Sequence, residues 1–221
     1  SNGKIRVPIV IRGAMGALRN AGPHHSHTFY SWFASTPGLK VVLPATPYDV
    51  KGLLKTALRE KGPVIFIEHK SLYNTKGPVP QVEYQIPFGV GQVCREGEDV
   101  TLVATSWMVI LAIQAASTLE KEGISVEVVD PRTVVPLDVQ TIVESVRKTG
   151  RVVAVDEAPS MCSFASEILA LACEHCFHHL KAPPRRVCSL PVPNPFSPPL
   201  EDAMIPSADR IVSEIRQMMN A

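Results

Sequence analysis

The stretch that most restricts the fold is residues 39–68, "LKVVLPATPYDVKGLLKTALREKGPVIFIE". Two apolar, β-branched runs, "LKVVLP" and "PVIFIE", flank a helical pattern, and neither run alternates polar with apolar residues. Such continuity is expected of strands buried on both faces of a parallel sheet. Between them Thr46 can cap a helix, Pro47 suits its first position, and Asp49 completes a capping-box pattern. Val50, Leu53, Leu54, Ala57 and Leu58 recur at helical spacing until Gly62-Pro63 ends the helix. A β-α-β unit is the reading.

The same grammar extends over the chain. "VPIVIRG" is a β-branched run closed by Gly13 and reads as another core strand. "HKSLYNTKGPVPQVEYQIP" has prolines, a glycine and no periodicity, so it reads as an inter-domain linker or a strap over the surface. Beyond it "FGVGQVC", "DVTLVAT", "SVEVVD", "RVVAVDE" and "RRVCSL" read as strands. Helices are expected over 107–122, after a cap at Asp138, over 162–180, and at the C-terminus around Ile211, Ile215 and Met218. The proline-rich residues before that last helix read as turns. Alternation of strand and helix makes the fold class α/β with mostly parallel sheets, in two pieces, and sites in such folds gather at the carboxyl ends of strands.

Composition narrows the partners. With 22 basic and 21 acidic residues the formal net charge is +1, too balanced for a nucleic acid or anionic membrane surface as the main partner. Apolar runs such as "ILALAC" fall well short of the roughly 18 residues that span a bilayer. Five scattered cysteines read as reduced intracellular thiols. The chain carries no dinucleotide fingerprint, P-loop, nucleophile elbow or His-Glu-x-x-His.

Three histidines, His24, His25 and His27, crowd "AGPHHSHTFYSW" just after a strand-like run. Adjacent histidines seldom converge on zinc, so a role-free cluster and a proton-moving imidazole remain beside that option. Phe29, Tyr30, Trp32 and Phe33 look like the buried face of a short helix. "CEHCFHH" contains Cys-x-x-Cys, but late in a helix, whereas redox pairs open one and a zinc knuckle wants a partner knuckle. Glu68, Asp156 and Glu157 end predicted strands and read as caps or ion-pair members.

Taken in order, "VPIVIRG", "HHSHTFYSWFASTPGLKVVLPATPYDVKGLLKTAL", "PVIFIEHKSLY", "YQIPFGVGQVCREGEDVTLVA", "SVEVVDPRTVVPLD" and "KTGRVVAVDEAP…FASEI" resemble the beta subunit of the thiamin diphosphate-dependent 2-oxo acid dehydrogenases. The likeness is to the branched-chain, acetoin and pyruvate members and covers essentially the whole chain. It implies a transketolase-like architecture, with residues 1–80 the later part of a pyrimidine-binding domain and 81–221 a transketolase C-terminal domain. It implies oxidative decarboxylation of a 2-oxo acid, a branched-chain one preferred, with acyl transfer to lipoamide. His25 takes the place of the family's active-site histidine, reaching toward the thiazolium to stabilise developing negative charge and assist acyl transfer; His24 and His27 receive no role.

The resemblance further implies thiamin diphosphate with magnesium, held largely by an alpha subunit and by sequence preceding this stretch. Its other implied partners are a second beta subunit and the subunit-binding domain of a dihydrolipoyl acyltransferase core. It also implies a potassium ion around Ile9, Ala57, Leu58, Glu60 and Gly62, although Glu60 and Gly62 stand where aspartate and asparagine are usual, which removes a side-chain oxygen at 62. Cys162-Ser163 replaces Gly-Gly, and Asn74 stands where arginine occurs in relatives. No Gly-Asp-Gly occurs, so the chain is expected to be N-terminally truncated, with Ser1-Asn2 a cloning remnant, and inactive alone. The setting implied is a bacterial cytoplasm, or a mitochondrial matrix for a eukaryotic source. Two rival readings are a non-catalytic assembly and docking module, and a transketolase-like or deoxyxylulose-phosphate synthase-like enzyme.

Overall fold

A computed structural model describes residues 5–220; Ser1 and Asn2 lie outside the described residues. The chain folds as two open sheets with helices. In chain order the elements are β1 (Val10–Met15), α1 (Pro23–Ser26), α2 (Tyr30–Ala34), β2 (Lys40–Val42), α3 (Pro47–Ala57), β3 (Val64–His69), β4 (Gln92–Arg95), β5 (Val100–Ala104) and α4 (Trp107–Glu120). There follow β6 (Val126–Asp130), β7 (Thr133–Val135), α5 (Val139–Thr149), β8 (Val152–Pro159), α6 (Phe164–Cys176), β9 (Arg185–Ser189), α7 (Pro198–Met204) and α8 (Ala208–Met219). One sheet has the order β1-β3-β2-β7, the other β4-β6-β5-β8-β9. Only β7 and β4 run antiparallel to their neighbours, each at a sheet edge.

The β-α-β unit forms as read. Thr46 Oγ1 accepts the Asp49 amide at 3.1 Å, and the Asp49 carboxylate accepts the Thr46 amide at 3.1 Å, so two orphan donors of α3 are satisfied reciprocally. The segment after β3 is a strap laid along α3. Tyr84 stacks on Tyr48 with ring centres 4.5 Å apart, the Ile86 amide donates to the Gly52 carbonyl at 3.2 Å, and Thr56 Oγ1 donates to the Ile86 carbonyl at 2.7 Å. A Cβ on Gly52 would meet Ile86 Cδ1 at 2.7 Å, so glycine is what lets the strap lie this close.

Burial places the core between the two sheets. Met15, Tyr30, Leu43, Ile65 and Ile67 from the first half pack in one cluster with Val103, Val129, Ile142, Phe164 and Ile168 from the second. Because β7 pairs with β2 through Val41 and Val42, the later part of the chain also completes the first sheet. The other face of the second sheet is covered by α4 and α8 through Ala112, Leu119, Ile211 and Ile215.

Several expectations need correction. The run "VPIVIRG" is not a strand buried on both faces: β1 begins at Val10, passes through Gly13, and leaves Ile11 about half exposed, because it is an edge strand. In "FGVGQVC" only Gln92 onward is strand, since Gly89 has φ 78° and packs on Pro136. The helix expected over 162–180 starts at Phe164, with Ser163 as N-cap accepting the Ser166 amide, and ends at Cys176 before a single 3-10 turn. The proline-rich segment contains α7, whose Pro198 and Pro199 occupy the first turn, where a missing N–H costs nothing. Among the aromatics after the histidines, only Tyr30 is buried; Trp32 is 72% exposed, because a five-residue helix lying on the surface covers one face alone.

Candidate functional site

The carboxyl ends of β1, β3 and β8 converge. From Met15 the chain enters a loop in which Gly16, Leu18, Asn20 and Gly22 all have positive φ, 99°, 67°, 52° and 65°. Side chains at Leu18 and Asn20 make that conformation cost roughly 1–3 kcal/mol each, so the surroundings must hold it. Three groups do. The Ala17 amide donates to Glu157 Oε1 at 2.6 Å, the Asn20 amide to Glu201 Oε2 at 3.1 Å, and the Arg19 guanidinium to the Lys70 carbonyl at 3.0 Å. The loop delivers the chain into α1, which carries His24 and His25.

Behind the loop lies a buried polar layer. His69 ends β3 and is 1% exposed. Its Nδ1 accepts the Ser71 amide at 3.1 Å, so Nε2 carries the hydrogen and donates to Glu157 Oε2 at 2.5 Å. The Trp107 ring lies nearly parallel to the imidazole, 6.0 Å between centres. Next to Glu157, Asp156 accepts the Tyr30 hydroxyl, the Ala158 amide at 2.9 Å and the Ala165 amide at 3.2 Å. Burial pushes the Asp156 carboxyl up to about 6 against the pull of those hydrogen bonds, and burial and Asp156 together drive the Tyr30 phenol well above its ordinary value. From β8, Asp156 accepts the Ala165 amide in the first turn of α6, and Glu68 forms a bidentate ion pair with Arg12.

A second buried cluster locks the halves together. Arg132 Nε donates to Asp49 Oδ1 at 2.8 Å, and the guanidinium also reaches Gln92. The Arg132 amide donates to Asp130 Oδ1 at 2.8 Å. Burial, reinforced by the nearby Asp49 charge, raises the Asp130 carboxyl to about 8 against the pull of Arg132. An unfolded aspartate titrates near ~3.9, so between roughly pH 4 and 8 the folded chain holds a proton that the unfolded chain releases. Stability must therefore fall as pH rises through that window and level off above it. In thermal melts from pH 7.5 to 9, above the titration of Asp156, wild type should decline and Asp130→Asn should stay flat; parallel curves would overturn this assignment.

The sequence-predicted residues land as follows. His24 and His25 are exposed on α1 with ring centres 6.4 Å apart, and His27 faces Phe29 at 5.5 Å. Ser26, His27, Trp32, Glu157, Ser189 and Asn194 are among the residues lining a cleft of about 720 Å³ between the halves. Ser26 Oγ and Ser189 Oγ are buried there without a hydrogen-bond partner. Of the residues read as a potassium site, the Ile9 carbonyl accepts the Val64 amide, the Ala57 carbonyl accepts the Glu60 amide, and the Glu60 carboxylate is paired with Lys40. Leu58 is 67% exposed, and Gly62 contributes no side chain. The one anion of this set is thus already paired with an ammonium.

In "CEHCFHH" the two thiols part: Cys176 is buried and donates to the Val143 carbonyl at 3.6 Å, while Cys173 is exposed. No group of three metal-ligating side chains occurs among the described residues, and none of their helices is long and apolar enough to cross a membrane. Cys162, in place of glycine, sits at φ 53°. His69 and Lys70 were not singled out by sequence; "EHK" at a strand end was the signal, but nothing local says that a carboxylate 88 residues away faces that imidazole.

Comparison with known proteins gives matches over the whole chain. The family of transketolase pyrimidine-binding domains matches residues 1–76, and that of transketolase C-terminal domains residues 89–211. The acetoin:2,6-dichlorophenolindophenol oxidoreductase subunit beta of Cupriavidus necator is 49% identical over 98% of this chain and 64% of its own length. The 2-oxoisovalerate dehydrogenase subunit beta of Bacillus subtilis is 42% identical over 99% of this chain and 67% of its own. The mitochondrial pyruvate dehydrogenase E1 component subunit beta of Dictyostelium discoideum is 42% identical over 99% and 62%. This chain thus spans about two thirds of such relatives or less. A solved split gene transketolase, described as an inactive beta4 tetramer, superposes with TM-score 0.78 at 25% identity over 97% of this chain and 67% of that one.

Proposed function

Since the chain belongs to the family of transketolase-like dehydrogenase beta subunits, we propose that it is the beta-subunit part of a thiamin diphosphate-dependent enzyme that cleaves a C–C bond beside a carbonyl and passes the acyl group to lipoamide. The single observation that carries this is the exposed His25 held at the convergence of β1, β3 and β8. The division into a pyrimidine-binding part, 1–80, and a C-terminal part, 81–221, accords with the family matches. Acetoin and 2-oxo acids share a ketone carbon bonded to a second oxygen-bearing carbon. Identity of 49% to the acetoin relative against 42% to the 2-oxoisovalerate relative favours acetoin over the branched-chain substrate expected from sequence.

When bound, thiamin diphosphate supplies the electron sink for the carbanion left by bond cleavage. This chain's residues fit only its reactive end. Of the carboxylates bordering the His25 loop, Glu157 accepts from Ala17 and His69 with its two oxygens, Glu201 accepts from Asn20 with Oε2 while its Oε1 is buried without a partner, and this stretch has no Gly-Asp-Gly turn for a magnesium diphosphate. Anchoring is therefore assigned to an alpha subunit and to sequence preceding this stretch, as the resemblance implies. His25 donates a hydrogen bond to the developing oxyanion of the substrate carbonyl and moves a proton during acyl transfer. The cleft lined by Ser26 and His27, next in sequence to His25, offers space for the acyl chain, with the unpartnered Ser26 and Ser189 hydroxyls in its wall.

A second reading, an assembly of beta chains without chemistry, is favoured by the likeness to an inactive beta4 tetramer. Docking to a second beta subunit and to the subunit-binding domain of an acyltransferase core belongs to either reading. The experiment is dye reduction by the full-length chain reconstituted with its alpha subunit and thiamin diphosphate, offered acetoin, pyruvate and 3-methyl-2-oxobutanoate in turn. Cofactor-dependent turnover of one of them is expected. Turnover of none, with a stable beta-only oligomer, would overturn the catalytic reading in favour of assembly.

A further inference from the structure

Helix α1 is a single turn of four residues, entered through a tight i→i−3 bond from the His25 amide to the carbonyl of its N-cap, Gly22, at 3.3 Å. No side chain caps it. A turn this short has no helical stability of its own, and its terminal carbonyls have no partners within it. The orientation of His25 is therefore set from outside. Two side chains reach the turn: the Lys70 ammonium donates to the His25 carbonyl itself, and Asn194 Nδ2 lies 3.5 Å from the Ser26 carbonyl, at the limit of a neutral bond. Only the first is charge-assisted.

Lys70 is itself braced. It follows His69, whose ring is fixed by Glu157, Ser71 and Trp107, and its own carbonyl accepts both Arg19 and the Tyr73 amide. The Lys70 side chain is half-buried; burial lowers its proton affinity, the Arg19 charge adds to that, and the Glu157 and Glu201 carboxylates offset only part of it. The result is a rigid strut from β8, through the end of β3, to the main chain of His25.

We propose that Lys70 is the positioning residue for His25, holding its imidazole in the reacting geometry through the His25 carbonyl. The proposal rests on the reading that His25 acts on the substrate, and the test separates the two. In the full-length chain assembled with its alpha subunit, Lys70→Met should lower kcat about 10- to 100-fold, the scale of loss expected when a reacting group is misplaced by about 1 Å. KM should stay within about twofold of wild type, since no substrate contact is removed. Lys70→Arg, which keeps a charged donor, should recover most of the rate.

Amide hydrogen exchange gives a readout independent of turnover: residues 23–27 should exchange faster in Lys70→Met and return toward wild type in Lys70→Arg. Unchanged exchange in that segment overturns the proposal whatever the activities. Loss of activity in His25→Ala with full kcat in Lys70→Met overturns it while leaving the reading of His25 intact. Full activity in His25→Ala sinks the reading of His25, and exchange alone then decides whether Lys70 holds the turn.

Discussion

Replacing His25 by alanine in the assembled enzyme is expected to lower kcat by about 10²- to 10⁴-fold, the range in which a positioned proton donor and acceptor contributes. The imidazole is exposed on α1, and among the described residues no carboxylate hydrogen-bonds it, so its donor is open to a substrate oxygen. The alanine variant should keep the fold, because His25 contributes to the structure through its main-chain carbonyl and not through its ring. Steady-state lipoamide reduction, with dye reduction measured in parallel, would show the loss in kcat and little change in KM. His24→Ala and His27→Ala serve as controls and should each stay within about threefold of wild type, a change of under 1 kcal/mol in barrier. A His25→Ala enzyme within threefold of wild type would remove this residue from the chemistry and leave the family assignment standing.

The largest effect on stability should come from Glu157. Its two oxygens accept from Ala17, 140 residues earlier, and from His69, 88 residues earlier, so one carboxylate ties β8 to the ends of β1 and β3. Glu157→Ala leaves a buried amide and a buried imidazole N–H without acceptors. Each hydrogen bond to a charged group is worth about 1.5–3 kcal/mol, so the loss should be about 3–5 kcal/mol in urea unfolding. Glu157→Gln isolates the cause. It preserves volume, but its amide can accept from only one of the two donors and turns its own N–H toward the other, for an expected loss of about 1–3 kcal/mol. Equal losses in the two variants would show that side-chain volume, and not hydrogen bonding, matters at 157.

What could be read along the chain was whatever is locally encoded. The capping box at Thr46 and Asp49, the cap at Asp138 and the C-terminal helix around Ile211 and Ile215 all formed within a residue or two of their expected places. These signals act over three or four residues, and the sequence shows them directly. "VPIVIRG" misled because apolar, β-branched composition reports what a strand is made of and not whether anything covers it; Ile11 lies on an edge strand about half exposed. β7 went unseen because three residues, Thr133–Val135, carry no periodicity, and only Val41 and Val42 of β2 make them a strand. α7 was hidden because two prolines look like a break unless their place in the first turn is known.

By itself, then, the sequence determined the α/β class and the β-α-β unit, because propensity and capping are short-range properties, while the family and the histidine segment came from resemblance to known sequences. Tertiary structure alone decided what surrounds that histidine. Whether Glu157 meets His69, Lys70 the His25 carbonyl, and Glu201 the strained loop at Asn20 depends on how two sheets pack on a shared core. Those pairings couple residues 45 to 181 positions apart, and no local pattern of side chains encodes a contact over such a separation.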